Sequence, residues 1–332
     1  MKNERLRMIY RSHQGNSVVA AIFLSAFLSC GSNLTHAQVV SSTMNPLQIA
    51  ILHWYGANRT TQIAVGGAPT GVAFDGANMW VANFQSNTVT ELRASDGKIL
   101  GTFAVGTSPL GVAFDGANIW VTNMVSNTVT KLRARDGKGL GTFAVGSNPD
   151  GVAFDGANIW VANNGSGNLT KLRASDGKIL GTFAVGSPPS FPGAIAFDGT
   201  NIWATANNNV IKLRANDGKI LGTFAVGSNP DGVAFDGANI WVANIVDASV
   251  TKLRARDGAN LGTFNVGTFP LGVAFDGANI WVANNGSGNV TKLRASDGMI
   301  LGTFAVGQGP NGVAFDGANI WVASETDTVS KL

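Results

Sequence analysis

Three side chains that carry ligand oxygens occupy the same place in a sequence motif that recurs along the chain. Asp150, Asp231 and Asn311 each follow a proline and stand directly before Gly-Val-Ala-Phe-Asp-Gly. Carboxylate and amide oxygens can anchor a polar ligand or coordinate calcium. The three residues are far apart in the chain, so a binding site or a calcium-dependent hydrolase built from them needs a fold in which they converge.

Histidine, the most frequent general base, is absent from the repeated part of the chain. His13, His36 and His53 are the only histidines. A Ser-His-Asp or Cys-His catalytic set and a histidine metal site are therefore excluded from the repeats. The two glutamates of the repeats, Glu91 and Glu325, lie on different elements. We predict no catalytic residue and no metal site, and we expect no cofactor, with calcium as the alternative.

The repeated motif defines the architecture that must position these side chains. Six regular copies begin at Gly71, Gly111, Gly151, Gly232, Gly272 and Gly312. A variant, Gly-Ala-Ile-Ala-Phe-Asp-Gly, begins at Gly193. The copies are about 40 residues apart, and each opens a unit of four short apolar segments, A to D, separated by Asp-Gly turns and polar or proline-containing loops. Such units are typical of propeller blades.

The two ends of the repeat complement each other. The last unit stops after segment C, at Leu332, and residues 61–66 supply a sequence that matches the missing segment D. Segments A and B are apolar on both sides, as in a sheet packed between two others. We predict an all-β, seven-bladed β-propeller of four-stranded antiparallel blades over residues 61–332, with the ring closed by an N-terminal strand that completes the last blade.

Segment B carries a resemblance to a known family. Trp-Val-Thr-Asn at residues 120–123, echoed as Trp-Val-Ala-Asn in other copies, resembles the Tyr-Val-Thr-Asn repeat of YVTN-family (YVTN/NHL-like) propellers. The resemblance covers residues 61–332 and implies the propeller fold. The family is functionally mixed and includes surface-layer and periplasmic proteins. Propellers of related appearance include streptogramin lyases and lactonases, which makes a calcium-dependent lactonase- or lyase-like enzyme an alternative.

The beginning of the chain is typical of an exported protein. Residues 1–37 combine a basic start, an apolar run at 18–28 too short to span a bilayer, and a small-x-Ala cleavage site. Cleavage before Cys30, the only cysteine, would instead give a lipoprotein. Residues 38–60 form a lead-in segment with a predicted short helix that docks on the propeller, a β-strand being the alternative.

The charge balance argues against two classes of partner. Without residues 1–37 the 23 basic and 20 acidic residues become 19 of each. A neutral protein has no overall field that attracts phosphate backbones or anionic lipids. We expect no nucleic-acid partner, no membrane span in the mature chain, a monomer, and a periplasmic, extracellular or cell-surface location.

Residues that recur in every blade are predicted to be structural. The tryptophan of segment B is expected to pack between blades, and the aspartate of Phe-Asp-Gly is expected to form turns. Segment C repeats Lys and Arg, as in Lys171 and Arg173. We interpret these as a solvated face rather than a basic girdle for anionic polymers.

The copies differ mainly at two places, the B–C loops and the residues that lead into segment A. In a four-stranded meander both lie on the same rim, and the second set lies beside the central axis. These rim residues are Thr70, Leu110, Asp150, Phe191, Asp231, Leu271 and Asn311. We predict an exported, non-catalytic binding or interaction propeller that uses this rim for a glycan, peptide or envelope partner. The alternatives are the enzyme above, a structural cell-surface protein, and loops that vary only because they are exposed.

Overall fold

The computed structural model describes residues 61–186 and 190–332. The predicted signal peptide, the alternative lipoprotein cysteine and the lead-in segment lie outside the described residues. Every regular element of the described ranges is a β-strand. None of these residues belongs to a helix that could cross a membrane.

The strands are numbered in chain order. They are β1 (Thr61–Ala64), β2 (Pro69–Phe74), β3 (Asn78–Asn83), β4 (Thr88–Arg93), β5 (Ile99–Ala104), β6 (Pro109–Phe114), β7 (Asn118–Asn123), β8 (Thr128–Arg133), β9 (Gly139–Ala144), β10 (Pro149–Phe154), β11 (Asn158–Asn163), β12 (Asn168–Arg173), β13 (Ile179–Ala184) and β14 (Pro192–Phe197). They continue with β15 (Asn201–Ala206), β16 (Asn209–Arg214), β17 (Ile220–Ala225), β18 (Pro230–Phe235), β19 (Asn239–Asn244), β20 (Ser249–Arg254), β21 (Asn260–Asn265), β22 (Pro270–Phe275), β23 (Asn279–Asn284), β24 (Asn289–Arg294), β25 (Ile300–Ala305), β26 (Pro310–Phe315), β27 (Ile320–Ser324) and β28 (Thr328–Lys331).

Within the described residues these strands form seven four-stranded sheets, the blades. Blades 1 to 6 take four consecutive strands each, from β2–β5 to β22–β25, and blade 7 has the order β1-β28-β27-β26. All pairs are antiparallel; in blade 7, Ile63 of β1 lies opposite Val329 of β28. The first strand of each blade contacts the first strands of both neighbours, including β26 with β2, so these strands surround the axis. The predicted seven-bladed fold and its closure by an N-terminal strand are confirmed.

The Asp-Gly turns behave as their sequence indicates. In blade 1, Asp75 Oδ1 accepts the backbone N–H groups of Ala77 and Asn78 at 2.9 and 2.7 Å. Gly76 has φ = 99°, a conformation that side-chain-bearing residues avoid. The aspartate therefore forms the turn, as predicted.

The seams between blades hold the hydrophobic core. Trp80 is fully buried and packs with Ile119 and Leu132 of blade 2. Its ring lies 5.5 Å from that of Phe103, and its indole N–H donates to Asp75 Oδ2 at 2.8 Å. The same indole bond occurs in every blade. The prediction that the tryptophans pack between blades is confirmed.

The lysines of the third strands correct one expectation. Lys171 is only 6% exposed, and its Nζ donates to Ala215 O at 2.6 Å and Asn216 O at 3.1 Å in the next blade. The same ammonium lies 5.2 Å from the Trp160 ring. The predicted solvated face is therefore wrong for the lysines, because carbonyl oxygens and an indole face replace water around the charge. Arg173 does remain at the surface, paired with an aspartate of the following turn.

Candidate ligand-binding site

The two variable sets of loops meet on one rim of the propeller. In blade 3, the backbone N–H groups of Asn164 and Gly165 in the B–C loop donate to Asn148 O and Ser147 O, both at 3.0 Å. The Ser147 N–H in turn donates to Ser166 Oγ at 2.6 Å. The segment that leads into the first strand is thus hydrogen-bonded to the B–C loop, and both face the same end of the molecule.

Six of the seven rim residues line one cavity at the axis, which we call the axial cavity. Its volume is about 150 Å³, and glycines of the first strands complete its wall. The six rim residues are Thr70, Leu110, Asp150, Asp231, Leu271 and Asn311. The fold therefore brings together the two aspartates and the asparagine that the sequence separates by two blades each.

Close contact between the first strands keeps this cavity narrow. A Cβ on Gly71 would lie 2.2 Å from Leu110 O, and a Cβ on Gly272 would lie 2.3 Å from Asn311 O. Any larger residue would push the neighbouring strand away. In six blades a glycine follows the rim residue and allows this close approach, and blade 4 has Ala194 at the same position.

Phe191 does not belong to the axial cavity, which corrects its predicted place beside the axis. Pro192 starts β14 and pairs with Ala206, as Pro149 starts β10 and pairs with Asn163. The residue in the axial register of blade 4 is consequently Gly193. Phe191 precedes the strand and is 54% exposed. The proline sets the register, so the longer loop of blade 4 places its extra residues outside the strand.

Gly193 leaves a gap between the two aspartates. It lies in blade 4, between Asp150 of blade 3 and Asp231 of blade 5, and it has no side chain to fill the space. A Cβ there would lie 3.3 Å from Asp231 Oδ1, so that carboxylate already extends over blade 4. Alignment of the copies on their prolines would have shown this missing side chain.

Within the described residues, no side chain or backbone N–H donates a hydrogen bond to either carboxylate. Asp150 is held by its backbone instead, where its carbonyl accepts the Thr122 hydroxyl at 2.6 Å. Thr70 directs its own hydroxyl to Pro109 O and Leu110 O, both at 3.2 Å. The two carboxylates are thus positioned by the fold but remain free to accept a donor from a ligand.

Burial changes the acidity of both groups. Burial, and secondly the negative charge of Asp231, raises the pKa of Asp150 to about 7 from its ordinary 3.8. Burial raises the pKa of Asp231 to about 6. No lysine or arginine lines the axial cavity to compensate them. A cation in the cavity would remove this penalty because it favours the ionised carboxylates.

The described residues contain no group of three His, Cys, Asp or Glu side chains arranged to hold a metal ion. Asp150, Asp231 and Asn311 could offer carboxylate and amide oxygens to a cation, while Leu110 and Leu271 provide apolar wall. A small positively charged group with an aliphatic part suits such a lining better than an anion or a large apolar ligand.

The comparison with protein families gives a match over most of the propeller. Residues 56–263 match the family described as outer membrane protein assembly factor BamB. The chain belongs to this family. The match supports the propeller repeat, whereas the narrower YVTN resemblance stays a prediction. The comparison with curated protein sequences finds no match.

Several solved structures share the fold at low sequence identity. Virginiamycin B lyase from Staphylococcus aureus is 19% identical, with a TM-score of 0.71 over 82% of this chain and 98% of that chain. Another streptogramin B lyase structure is 20% identical, with a TM-score of 0.70 over 82% and 96%. Hydrazine synthase from Kuenenia stuttgartiensis is 19% identical, with a TM-score of 0.70 over 82% and 97%. These likenesses show a common propeller fold and nothing narrower.

Proposed function

We propose that this protein is an exported, non-catalytic binding propeller whose axial cavity receives an amino group. The partner would be a peptide, an amino-sugar glycan or a cell-envelope protein that presents that group on the loop rim. The observation that carries the proposal is the pair of aspartates, Asp150 and Asp231, which face one cavity without hydrogen-bond donors from the described residues. An ammonium group supplies both the charge and the donors that they lack.

The distribution of differences among the blades supports this site. The tryptophan, the turn aspartate and the seam contacts recur almost unchanged, whereas the axial position varies among Thr, Leu, Asp, Gly and Asn. Carboxylates that are partly withdrawn from water and gain no partner destabilise a fold. Residues that lower stability are common at functional sites, where they are retained because binding needs them.

Export is supported by two independent observations. Residues 1–37 have the composition of a signal peptide, as described above. The family to which the chain belongs is named for an outer-membrane assembly factor. A partner in the cell envelope is consistent with both.

A lyase-like enzyme is the second candidate because the solved lyases share the fold. One of those structures is a catalytically inactive histidine-to-alanine variant of virginiamycin B lyase with quinupristin. Residues 61–332 of this chain contain no histidine. An enzyme built on this propeller would need a carboxylate, with calcium, in place of a histidine base.

Thermal melting and calorimetric titration of the purified protein distinguish the two candidates. The probes are n-butylamine, glucosamine, a lysine-containing tripeptide, calcium chloride and quinupristin. A probe at 100 times its dissociation constant adds about 2.7 kcal/mol to stability. We expect shifts with the amines, lost in the double variant Asp150→Asn/Asp231→Asn.

The control is Glu325→Gln, an acidic residue of the same rim whose Oε1 accepts Asn285 Nδ2 at 3.1 Å and which does not line the axial cavity. This variant should bind the amines like the wild-type protein. A calcium-specific shift with turnover of quinupristin would support the enzyme instead. No shift with any amine would reject the proposed site.

A further inference from the structure

A second groove lies on the outer side of the same rim, between blades 3 and 4. Its volume is about 440 Å³. One wall is the B–C loop of blade 3 at residues 165–168, and another is the outermost strand of that blade, β13. Ser190 and Phe191, which lead into blade 4, form the remaining side. We call this the Phe191 groove.

The aromatic ring of Phe191 is presented to this groove instead of being packed. The residue is 54% exposed, and it belongs to none of the hydrophobic clusters of the described residues. Pro192 directly after it is buried and starts β14. Proline restricts the preceding residue to extended conformations, so the ring is held outward at little entropic cost.

The rest of the lining is neutral and polar. Ser166 and Thr182 contribute exposed hydroxyls, and Asn168 contributes an amide. The Ser166 hydroxyl accepts the Ser147 N–H, and its own proton remains available to a ligand. Ser190 is 6% exposed, and its Oγ has no hydrogen-bond partner in the part of the chain that the structure describes. The lining of the groove thus includes a buried hydroxyl that no described residue satisfies.

We propose that the Phe191 groove binds a neutral sugar residue, with one C–H face of the sugar stacked on Phe191. Hydroxyl and amide side chains on the other walls match the alternating donors and acceptors of a sugar. None of the residues that line the groove is charged, so it offers no counter-ion to a phosphate, a carboxylate or an amine. A single aromatic side chain beside glycines and hydroxyls is too little apolar surface for a lipid chain.

Blade 6 provides a natural comparison. Its B–C loop has the same Asn-Gly-Ser-Gly sequence as that of blade 3, and Phe269 beside it is 55% exposed. A Cβ on Gly286 would lie 2.5 Å from Phe269 Cδ2, so this ring covers its own loop. Phe269 matches Phe191 in chemistry and exposure but does not line the Phe191 groove.

The test is titration of the purified protein with methyl β-glucoside, N-acetylglucosamine, cellotetraose and chitotetraose, followed by saturation-transfer NMR and calorimetry. We expect at least one of these sugars to bind, and Phe191→Ala to weaken that binding about tenfold, which corresponds to about 1.4 kcal/mol. Phe191→Trp should preserve it. Phe269→Ala is the matched control and should leave the affinity unchanged.

The axial double variant Asp150→Asn/Asp231→Asn separates this proposal from the proposed function. Sugar binding at the Phe191 groove should be unaffected by that variant, whichever way the amine experiment turns out. The proposal is overturned if none of the four sugars binds, if binding survives unchanged in Phe191→Ala, or if Phe269→Ala or the axial variant reduces it equally.

Discussion

The seams between blades and the axial cavity treat buried polar groups in opposite ways. In the seams such groups are paired: the Trp160 indole donates to Asp155, and the Lys171 ammonium donates to two carbonyls of the next blade. In the axial cavity Asp150 and Asp231 are half-buried, and no hydrogen bond from the described residues reaches their carboxylates. The repeated residues therefore build the ring, whereas Asp150 and Asp231 at the varied positions carry an electrostatic penalty that a ligand can relieve.

One seam departs from the pattern. Blade 1 has Glu91 where the others have lysine, and this carboxyl is 6% exposed. It accepts the Asn78 amide at 2.8 Å. Burial, and secondly the charge of Asp75, raises its pKa above the usual 4.5. The seam between blades 1 and 2 therefore resembles the axial cavity, because each contains a carboxyl group whose pKa is raised by burial.

The largest expected effect is in the seams. Trp160→Ala removes a fully buried ring that lies 5.3 Å from the Phe183 ring, and it removes one of the two hydrogen bonds that Asp155 Oδ2 accepts. We expect a loss of about 3–5 kcal/mol in the free energy of unfolding, measured in urea. The exposed Phe191→Ala is the control and should change it by less than about 0.5 kcal/mol. A loss below about 1 kcal/mol for Trp160→Ala would contradict the description of the seams.

Replacing the axial aspartates should raise the free energy of unfolding, the opposite of the effect expected for Trp160→Ala. Their folded-state pKa values, about 7 and about 6, exceed the ordinary 3.8. Between pH 3.8 and these folded-state values, the native state therefore binds more protons than the unfolded state. The wild-type stability should therefore fall as the pH rises from about 4 to about 7 and then level off. Asp150→Asn/Asp231→Asn should lack this fall and exceed the stability of the wild type by at least about 2 kcal/mol at about pH 8.

Urea unfolding of both proteins across this pH range makes the measurement. Equal pH profiles for the wild type and the double variant would show that the axial carboxyls ionise normally. The proposed electrostatic contrast with the seams would then fail.

Two lysines allow the contribution of the seam hydrogen bonds to stability to be separated from that of the contact with the indole ring. Lys171 and Lys292 both lie over a tryptophan, Trp160 and Trp281, at 5.2 and 4.8 Å. Lys171 also donates to two carbonyls of the turn between the third and fourth strands of blade 4, whereas Lys292 faces blade 7, where β28 pairs with β1 and not with a strand that follows it in the chain. Lys171→Met should lower the free energy of unfolding by about 1.5 kcal/mol more than Lys292→Met does. Equal losses would assign the contribution of the lysines to the indole contact.

The smallest expected effect on the free energy of unfolding comes from replacing Glu91, in the seam between blades 1 and 2, with the lysine of the other blades. Glu91→Lys would place an ammonium where blades 2 to 7 have one, within reach of the carbonyls of the next turn near Ala134. We expect a gain of about 1 kcal/mol at neutral pH, where the buried carboxyl is least favourable. Glu91→Gln, which only removes the charge, is the control for the added hydrogen bonds. A loss of stability with Glu91→Lys would show that this seam has adapted to its carboxyl.

The repeat made the fold predictable from the sequence, but the burial of Lys171 and the position of Phe191 could not be predicted from it. Blade number, strand order and closure follow from the spacing of one motif and from residues 61–66, and the structure agrees. The burial of Lys171 was missed because the alternation of a strand shows its two faces and not what packs on each. The position of Phe191 was missed because the register of blade 4 depends on which residue of a longer loop begins the strand.

The sequence by itself determined that seven similar blades close into a ring and that their differences collect on one rim. Only the tertiary structure decided which of those differing residues meet. Asp150 and Asp231 belong to blades 3 and 5; burial raises the pKa of both, and the negative charge of Asp231 raises that of Asp150 further. The local sequence encodes neither the burial of these carboxyl groups nor the interaction between their charges. Both depend on the distance between strands that are separated along the chain by a whole blade.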